Sequence, residues 1–399
     1  MAGVGAAVTA ARGGAKTLLV ERLEILGGLG TSGGVGNFCF GDGSLPKGQG
    51  PVFDAIWEGL AFYGAIGEAN GWRVARHPPF YNHTFDHNVL ALVLQELTER
   101  EGVDLLFATD VIGAEVEEGR VTEVVIHNRS LSQRVAARVV IDCTGDGVLA
   151  RHAGAVPLPP DPDHPASIPP GHMFFVQQAG HPHPQRVKWE EPGGPPPKYS
   201  LWPEPDRTAL KMWWPNGEFD TATGRGYSDA GRAFRRRIPE FIRHFQGTEQ
   251  GRDCVLAYSA AMFGLRDSVC IEGDYVLTAD DLRAGRGFTD VVAHGCFPLD
   301  SAAIRKEVIP AYQIPLRSLI VKGLENVLVA GRCFSATRIA LSSARIMPTS
   351  CLMGQAAGMA AAMVACGDVS LRQVEPAAIR AGFIDACPHD AVLADRLAR

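Results

Sequence analysis

Six glycines crowd into eleven residues, LGGLGTSGGVG from Leu26 to Gly36, just beyond an apolar run that stops at Glu21. So much glycine after a strand suits a loop lying against a flat or anionic ligand, because no Cβ holds the backbone away from it. The residues before the loop sharpen this reading. Gly3, Gly5, Ala6, Ala7, Ala10 and Ala11 predict a helix packed tightly on a sheet and ending at Gly13-Gly14, and Thr17 to Val20 reads as a buried parallel strand. A βαβ unit aims a helix N-terminus at the pyrophosphate of a dinucleotide, and an acid about 20 residues onward bonds the ribose hydroxyls. Gly3 stands 18 residues before Glu21, with helix and strand signals between them. Taken alone, Glu21 is more often a solvated carboxylate at a strand end.

Further along, Asp86 is placed to cap a helix from His87 to Arg100, with Gly102 closing its far end. Strands are predicted at Leu105 to Ala108 and Val139 to Ile141, with a hairpin from Val111 to Val116 and Val121 to Ile126 around Glu118-Gly119. Between Pro157 and Pro205 the composition turns to Pro, Gly and His, as in PLPPDPDHPASIPPGH and EEPGGPPPK, which removes backbone donors and forbids regular helix. The apolar MFFV within that stretch and the amphipathic run Ala230 to Phe245 after it favour an inserted domain over a plain linker. A strand at Val327 to Ala330 and a small-residue helix near Ser350 to Cys366 follow. Pro348 with Thr349 or Ser350 makes a good helix start, and Gly354 and Gly358 let another surface approach closely.

Composition narrows the class. With 46% hydrophobic and 21% charged residues the chain can bury a large core, which excludes a disordered or fibrous protein. The net charge of -6 and the lack of a long basic run argue against a nucleic-acid partner. Nine scattered cysteines, never at two-residue spacing, suit reduced thiols in the cytosol rather than a disulfide frame, zinc site or iron–sulfur cluster. The apolar stretch from Cys351 to Cys366 carries Gln355 and is shorter than the roughly 20 residues that cross a bilayer, so it reads as a buried helix.

Four segments in this order resemble the FAD-dependent oxidoreductase family, distantly related to the succinate dehydrogenase/fumarate reductase flavoproteins. They are AGVGAAVTAARGGAKTLLVER (2–22), VVIDCTGDGVLARHAGA (139–155), IEGDYVLTADDL (271–282) and ENVLVAGRCFSATRIALSSARIMPTSCLMGQAAGMAAA (325–362). The resemblance implies an α/β fold with a doubly wound, Rossmann-like FAD-binding domain, discontinuous in sequence. Its first part would be residues 1–155 and its second 320–370, interrupted by a cap or substrate domain at 156–319 and followed by a helical tail at 371–399. It also implies that Glu21 binds the adenosine ribose, that Gly3 and Arg22 belong to the same cofactor site, and that Gly27, Gly28 and Thr31 lie along the pyrophosphate and flavin. Val111 would touch the adenine and Thr144-Gly145 cover the dinucleotide. Gly331-Arg332 would lie beside the ribityl chain, and the helix bearing Gly354 and Gln355 would point its N-terminus at the flavin, where its free N–H groups stabilise a reduced, anionic ring.

For substrate chemistry the family positions fall on Arg266, Tyr312 and Arg345; an arginine there would orient a carboxylate or enolate, and a structural ion pair is the plain alternative. Relatives carry a histidine shortly after the position of Asp300, where this chain has Ser301-Ala302-Ala303. The expected activity is hydride transfer between a small organic substrate and flavin N5, with non-covalent FAD and a separate electron acceptor, and with no metal. A flavin-bearing electron-transfer subunit and a chain unable to bind FAD are the rival readings. A cytosolic protein without membrane insertion is expected, and a homo-oligomer is compatible with it. Because the family's fingerprint begins with a central strand entering Gly-x-Gly and this sequence opens at Ala2-Gly3, the sequence reading expects an upstream strand.

Overall fold

The computed structural model describes the chain except residues 42–46, 78–79, 160–167, 179–197, 214–218, 248–250, 267, 302–303, 305 and 399. The first third contains α1 (Ala2–Arg12), β1 (Leu18–Val20), β2 (Asn37–Phe40), α2 (Pro51–Phe62), β3 (Val74–His77), β4 (Phe80–Thr84) and α3 (His87–Arg100). Next come β5 (Asp104–Leu106), β6 (Asp110–Glu117), β7 (Arg120–Asn128), β8 (Leu131–Ala136), β9 (Val140–Asp142) and the short α4 (Val148–His152). The inserted stretch holds β10 (Gly171–Gln178), β11 (Lys198–Pro203), β12 (Thr208–Trp213), α5 (Gly224–Gln246), β13 (Cys254–Ser259), α6 (Ala279–Ala284), β14 (Val291–Gly295) and β15 (Tyr312–Pro315). The chain ends with β16 (Val327–Val329), α7 (Arg338–Ala344), α8 (Met347–Cys366), α9 (Pro376–Ala386) and α10 (Ala391–Ala398).

The fold is α/β, with its parallel strands in two pairs. β1 runs beside β5, with Leu19 opposite Leu105, and β9 runs beside β16, with Ile141 opposite Leu328. Helix α1 bridges them: the space beside Gly3 is bounded by Leu19 of β1 and by Cys143, which follows β9. The other face of α1 lies on α8, and small residues set that distance. A Cβ on Gly354 or Gly358 would collide with the carbonyl oxygens of Ala2 and Ala6, and one on Gly5 with that of Cys351. Gly354, expected at the flavin, is therefore required by helix packing. Although α8 is long and apolar enough to cross a membrane, 78% of its most apolar window is buried inside the protein.

Local signals act as expected. Asp86 caps α3 by accepting from the N–H groups of Asn88 at 2.8 Å and Val89 at 3.4 Å. The β6–β7 hairpin turns at Glu118 and Gly119, whose φ angles of 48° and 78° suit a turn that matches the strand twist. The strand β8 and the sheet β2–β4–β3 complete antiparallel layers that the sequence reading did not foresee.

The inserted region builds an antiparallel sheet in the order β11–β12–β10–β13. One face packs Phe174, Val176, Leu210 and Met212 against Phe234, Ile238, Phe241 and Phe245 of α5. The other carries Met173, Phe175 and Ala209 and lies over the glycine loop. Residues after Ile271, including β14 and β15, share their core with β16 and α8 rather than with this sheet. Most of the Pro-rich segments PLPPDPDHPASIPPGH and EEPGGPPPK lies outside the described residues.

Candidate functional site

Three turns meet at the N-terminal end of α1, each following the C-terminal end of a parallel strand, where open α/β sheets place their ligand crevice. After β1 comes Glu21, whose carboxylate accepts from the N–H of Leu23 at 3.0 Å; burial raises its pKa above the ordinary carboxylate value. Arg22 beside it is exposed. After β9, the buried Asp142 accepts from the N–H and hydroxyl of Thr144 at 2.9 and 2.7 Å and from the N–H of Ala150 at 2.9 Å, which fixes the Thr144-Gly145 turn. After β16 comes Gly331, with φ of 80° and Ala2 directly beside it.

Arg332 ties two of these turns together by donating to Asp146 at 2.8 Å and to the hydroxyl of Ser268. Its guanidinium stands where a Cβ on Gly145 would be crowded, and the φ of 78° there favours glycine. Burial pushes the Asp146 carboxyl up, but Arg332, Ser268 and Arg22 together hold it below its ordinary value. Arg332 thus pairs the turn after β16 with the turn after β9. Val111 enters β6 two residues after Thr109, whose N–H bonds the Glu21 carbonyl at 3.1 Å, so it lies at the edge of the same crevice.

The crevice suits a dinucleotide on three local features. Helix α1 has eleven residues and its first turn receives no side-chain cap, a strand-end carboxylate faces it, and Gly27 and Gly28 adopt φ of 102° and 57°. Nothing lies within 4 Å of where a Cβ on Gly28 would stand, so its backbone is open to a ligand. Thr31 plays a different part from the one expected of its hydroxyl. That hydroxyl donates to the Leu26 carbonyl at 2.6 Å and is buried, bracing the loop from within. Gln355 is likewise committed to structure: its amide donates to the Gln49 carbonyl and accepts from the Val52 N–H, both at 2.9 Å, at zero exposure.

At its far end the glycine loop is roofed by the inserted sheet. Gly34 sits against Met173 and Phe175, and the N–H of Met262 donates to the Ser32 carbonyl at 3.3 Å. Arg266 donates to the Pro169 carbonyl at 2.9 Å and lies 3.7 Å from the Asp300 carboxylate. Arg266 and Arg345 both act electrostatically on Lys211 of β12, as do Asp300 and Cys39. Burial, then the two arginines, push the Lys211 ammonium down to about 7. Burial also raises the Cys39 thiol to about 11, although Asn37 donates to its sulfur at 2.9 Å. The sequence reading missed Lys211, although a lone lysine at an inward position of the apolar TALKMW run was a usable signal.

Tyr312 does not join this cluster. It is 1% exposed, packed in the core around β16 and α8, with its hydroxyl 2.7 Å from that of Ser343. Burial raises its pKa well above the ordinary phenol value. Ala302 and Ala303, which follow Asp300 in the stretch singled out above, lie outside the described residues. Among the described residues no cluster of three or more His, Cys, Asp or Glu is placed to hold a metal ion. All nine cysteines are free thiols.

A second polar cluster, also missed, joins the inserted region to the N-terminus of α3. Arg207 donates to Glu204 at 2.6 Å and to Asp86 at 3.1 Å, and stands 5.6 Å from the ring centres of both Phe175 and Tyr258. The Tyr258 hydroxyl is 3.0 Å from Nε2 of His87.

No curated protein sequence matches the chain. Among solved structures it is similar to CabE, an aromatic hydroxylase from angucycline biosynthesis, at 13% identity and a TM-score of 0.50, over 98% of this chain and 67% of that one. It is similar also to the p-nitrophenol 4-monooxygenase PnpA of Pseudomonas putida DLL-E4, at 10% identity and a TM-score of 0.50, over 99% of this chain and 85% of that one. At such identities the likeness speaks for the fold alone. The family model for FAD-dependent oxidoreductases matches residues 1–382, and with the strand-end crevice and its glycine loop this places the chain in the FAD-dependent oxidoreductase family.

Proposed function

We propose that the protein transfers a hydride between a small organic substrate and N5 of a non-covalently held FAD, passing electrons to a separate acceptor in the cytosol. The observation that carries this reading is the shared glycine loop. Its Gly27-Gly28 end continues from the turn that bears Glu21, and its Gly34 end lies under the inserted sheet, against Met173 and Phe175.

Glu21 would accept the ribose hydroxyls and the first turn of α1 would face the pyrophosphate, with open backbone at Gly28 allowing close approach. Bound FAD supplies a two-electron carrier at N5. Arg266 and Arg345 would hold an anionic group of the substrate, while Met173 and Phe175 exclude water from the loop. CabE is an aromatic hydroxylase and PnpA a p-nitrophenol 4-monooxygenase, and a fold likeness transfers neither activity.

The test is an absorbance spectrum of the purified chain before and after adding FAD, followed by a screen of small carboxylate-bearing compounds for bleaching of the flavin without light. Uptake of FAD and bleaching by at least one compound are expected, and acid precipitation should release all the colour. No histidine occurs between Met1 and Val74 to tether the flavin. A chain that takes up no FAD sinks the reading; one that takes up FAD but is bleached only by a protein partner makes it an electron-transfer subunit.

A further inference from the structure

Two polar atoms beside the end of the glycine loop are buried without a partner. Among the described residues nothing hydrogen-bonds Oε1 of Glu204 or Nδ1 of His87, although the two residues are only 1% and 4% exposed. They come from separate elements: Glu204 opens the turn between β11 and β12, and His87 is the first residue of α3. Both converge on Gly36, where a Cβ would stand 3.6 Å from Oε1 and 3.8 Å from Nδ1, with the Phe85 carbonyl oxygen at 2.6 Å. Leaving two such groups unpaired is costly, and a small space with several polar groups around it is where a buried water is held.

The surroundings decide which group donates. Glu204 is held through its other oxygen, Oε2, which accepts from Nε of Arg207 at 2.6 Å, and Arg207 donates also to Asp86 at 3.1 Å. The His87 ring stacks on Phe175 at 4.8 Å, and its Nε2 is 3.0 Å from the Tyr258 hydroxyl. Asn88 bonds the same hydroxyl in the sense that favours the phenolate, so the amide donates and the Tyr258 proton points to Nε2. The His87 proton is then on Nδ1, and a donor faces the Glu204 oxygen across the space at Gly36. A water suits both states of Glu204: it accepts from Nδ1–H, and it donates to an ionised Oε1 or accepts from a protonated one.

We propose that the space beside Gly36 binds one water molecule bridging His87 Nδ1 and Glu204 Oε1, and that through it Glu204 takes up and releases a proton beside the glycine loop. The site needs no cofactor and stands apart from the flavin reading. Burial raises the Glu204 carboxyl to about 7, with Arg207 opposing the rise and Asp86 and Asp206 adding to it. Burial, then Arg207, lowers His87 to about 4, and burial raises the Tyr258 phenol, so Glu204 is the member that titrates near neutrality. Arg207 stays charged at any working pH. A water donating to Oε1 favours the carboxylate, and His87 orients that water by occupying one of its lone pairs.

The test is an infrared difference titration of the full chain with added FAD, following the C=O stretch of a protonated carboxyl between about pH 5 and about pH 9. Glu204→Gln assigns the band by losing it. The parent midpoint should lie near neutrality. In His87→Phe it should rise by about one pH unit, the effect of losing one hydrogen bond to a charged group. In His87→Asn, which restores an N–H near the place of Nδ1, most of that rise should be absent. Circular dichroism checks that each variant folds, and a crystal structure of the parent, which needs no variant, should show the water in contact with both atoms. Equal midpoints in the parent and His87→Phe, or equal rises in the two His87 variants, overturn the proposal, as does a parent crystal structure with no ordered water beside Gly36.

Discussion

Gly358 of α8 and Ala6 of α1 are in direct backbone contact: a Cβ on Gly358 would overlap the carbonyl oxygen of Ala6. The two helices cannot separate cheaply, because Gly354 repeats the contact one turn earlier against Ala2 and Gly5 meets Cys351 from the other side. Gly358→Ala should therefore cost about 1–3 kcal/mol of stability, the usual range for forcing extra volume into a packed interior. Gly3→Ala provides the contrast, since a Cβ there has its nearest neighbours at 3.5 Å. It should leave stability unchanged or raise it by up to about 1 kcal/mol through helix propensity. Thermal melts of the two variants check this, and a Gly358→Ala protein as stable as the parent would refute the packing account.

These contacts show what the sequence could and could not reveal. Small residues in 2–12 and 347–366 announced two helices that something approaches closely, and each helix lies where it was expected. That they approach each other was not legible, because spacing says a neighbour is near without saying which. The same limit explains Gln355 and Tyr312: motif position suggested the flavin and the substrate, whereas their polar atoms meet Gln49, Val52 and Ser343 across long sequence separations. Lys211 was missed for the opposite reason. That it faces the glycine loop is set only by the register of β10 and β12 and by the packing of the inserted sheet on the loop. Glu21, Asp86 and the Glu118-Gly119 turn were readable because their chemistry is local.

Tyr312→Phe separates packing from catalysis. Removing the hydroxyl breaks its bond with Ser343 in a fully buried setting, while Ser343 keeps a second partner in the Phe297 carbonyl. The loss should be about 1 kcal/mol of stability, with kcat for any substrate found by the flavin screen unchanged. A large fall in kcat with an unaltered melt would return Tyr312 to the reacting atoms.

Arg345→Lys keeps the charge and loses the planar two-pronged contact that a guanidinium offers a carboxylate. If Arg345 orients an anionic substrate, turnover should fall about 10- to 1000-fold, comparable to removing one transition-state donor. The FAD spectrum should be intact, because Arg345 acts electrostatically on Lys211 and is not among the groups that act on Glu21. Unchanged kinetics would assign Arg345 to the structure of the α7–α8 junction.

Glu204 and His87 make opposed contributions to stability as pH changes. They approach Gly36 from two elements, with Oε1 of Glu204 3.6 Å and Nδ1 of His87 3.8 Å from the Cβ position there. Burial raises the Glu204 carboxyl to about 7, against the pull of Arg207, so the folded state favours its protonated form. Its contribution is present below the unfolded value of 4.5 and is lost as pH rises towards about 7. Burial, with Arg207, lowers His87 to about 4, so the folded state favours its neutral form. That contribution is present above the unfolded value of 6.5 and is lost as pH falls towards about 4. Across the shared window the two slopes cancel in part. Glu204→Gln keeps an oxygen to accept from Arg207 Nε but removes the titration, leaving the His87 slope uncovered. Denaturant melts between about pH 4 and about pH 7 should then show stability rising with pH more steeply in Glu204→Gln than in the parent, and His87→Phe added to it should flatten the curve. Parallel curves for the parent and Glu204→Gln would mean that Glu204 ionises in the folded state much as it does in the unfolded chain, with Arg207 fully offsetting its burial.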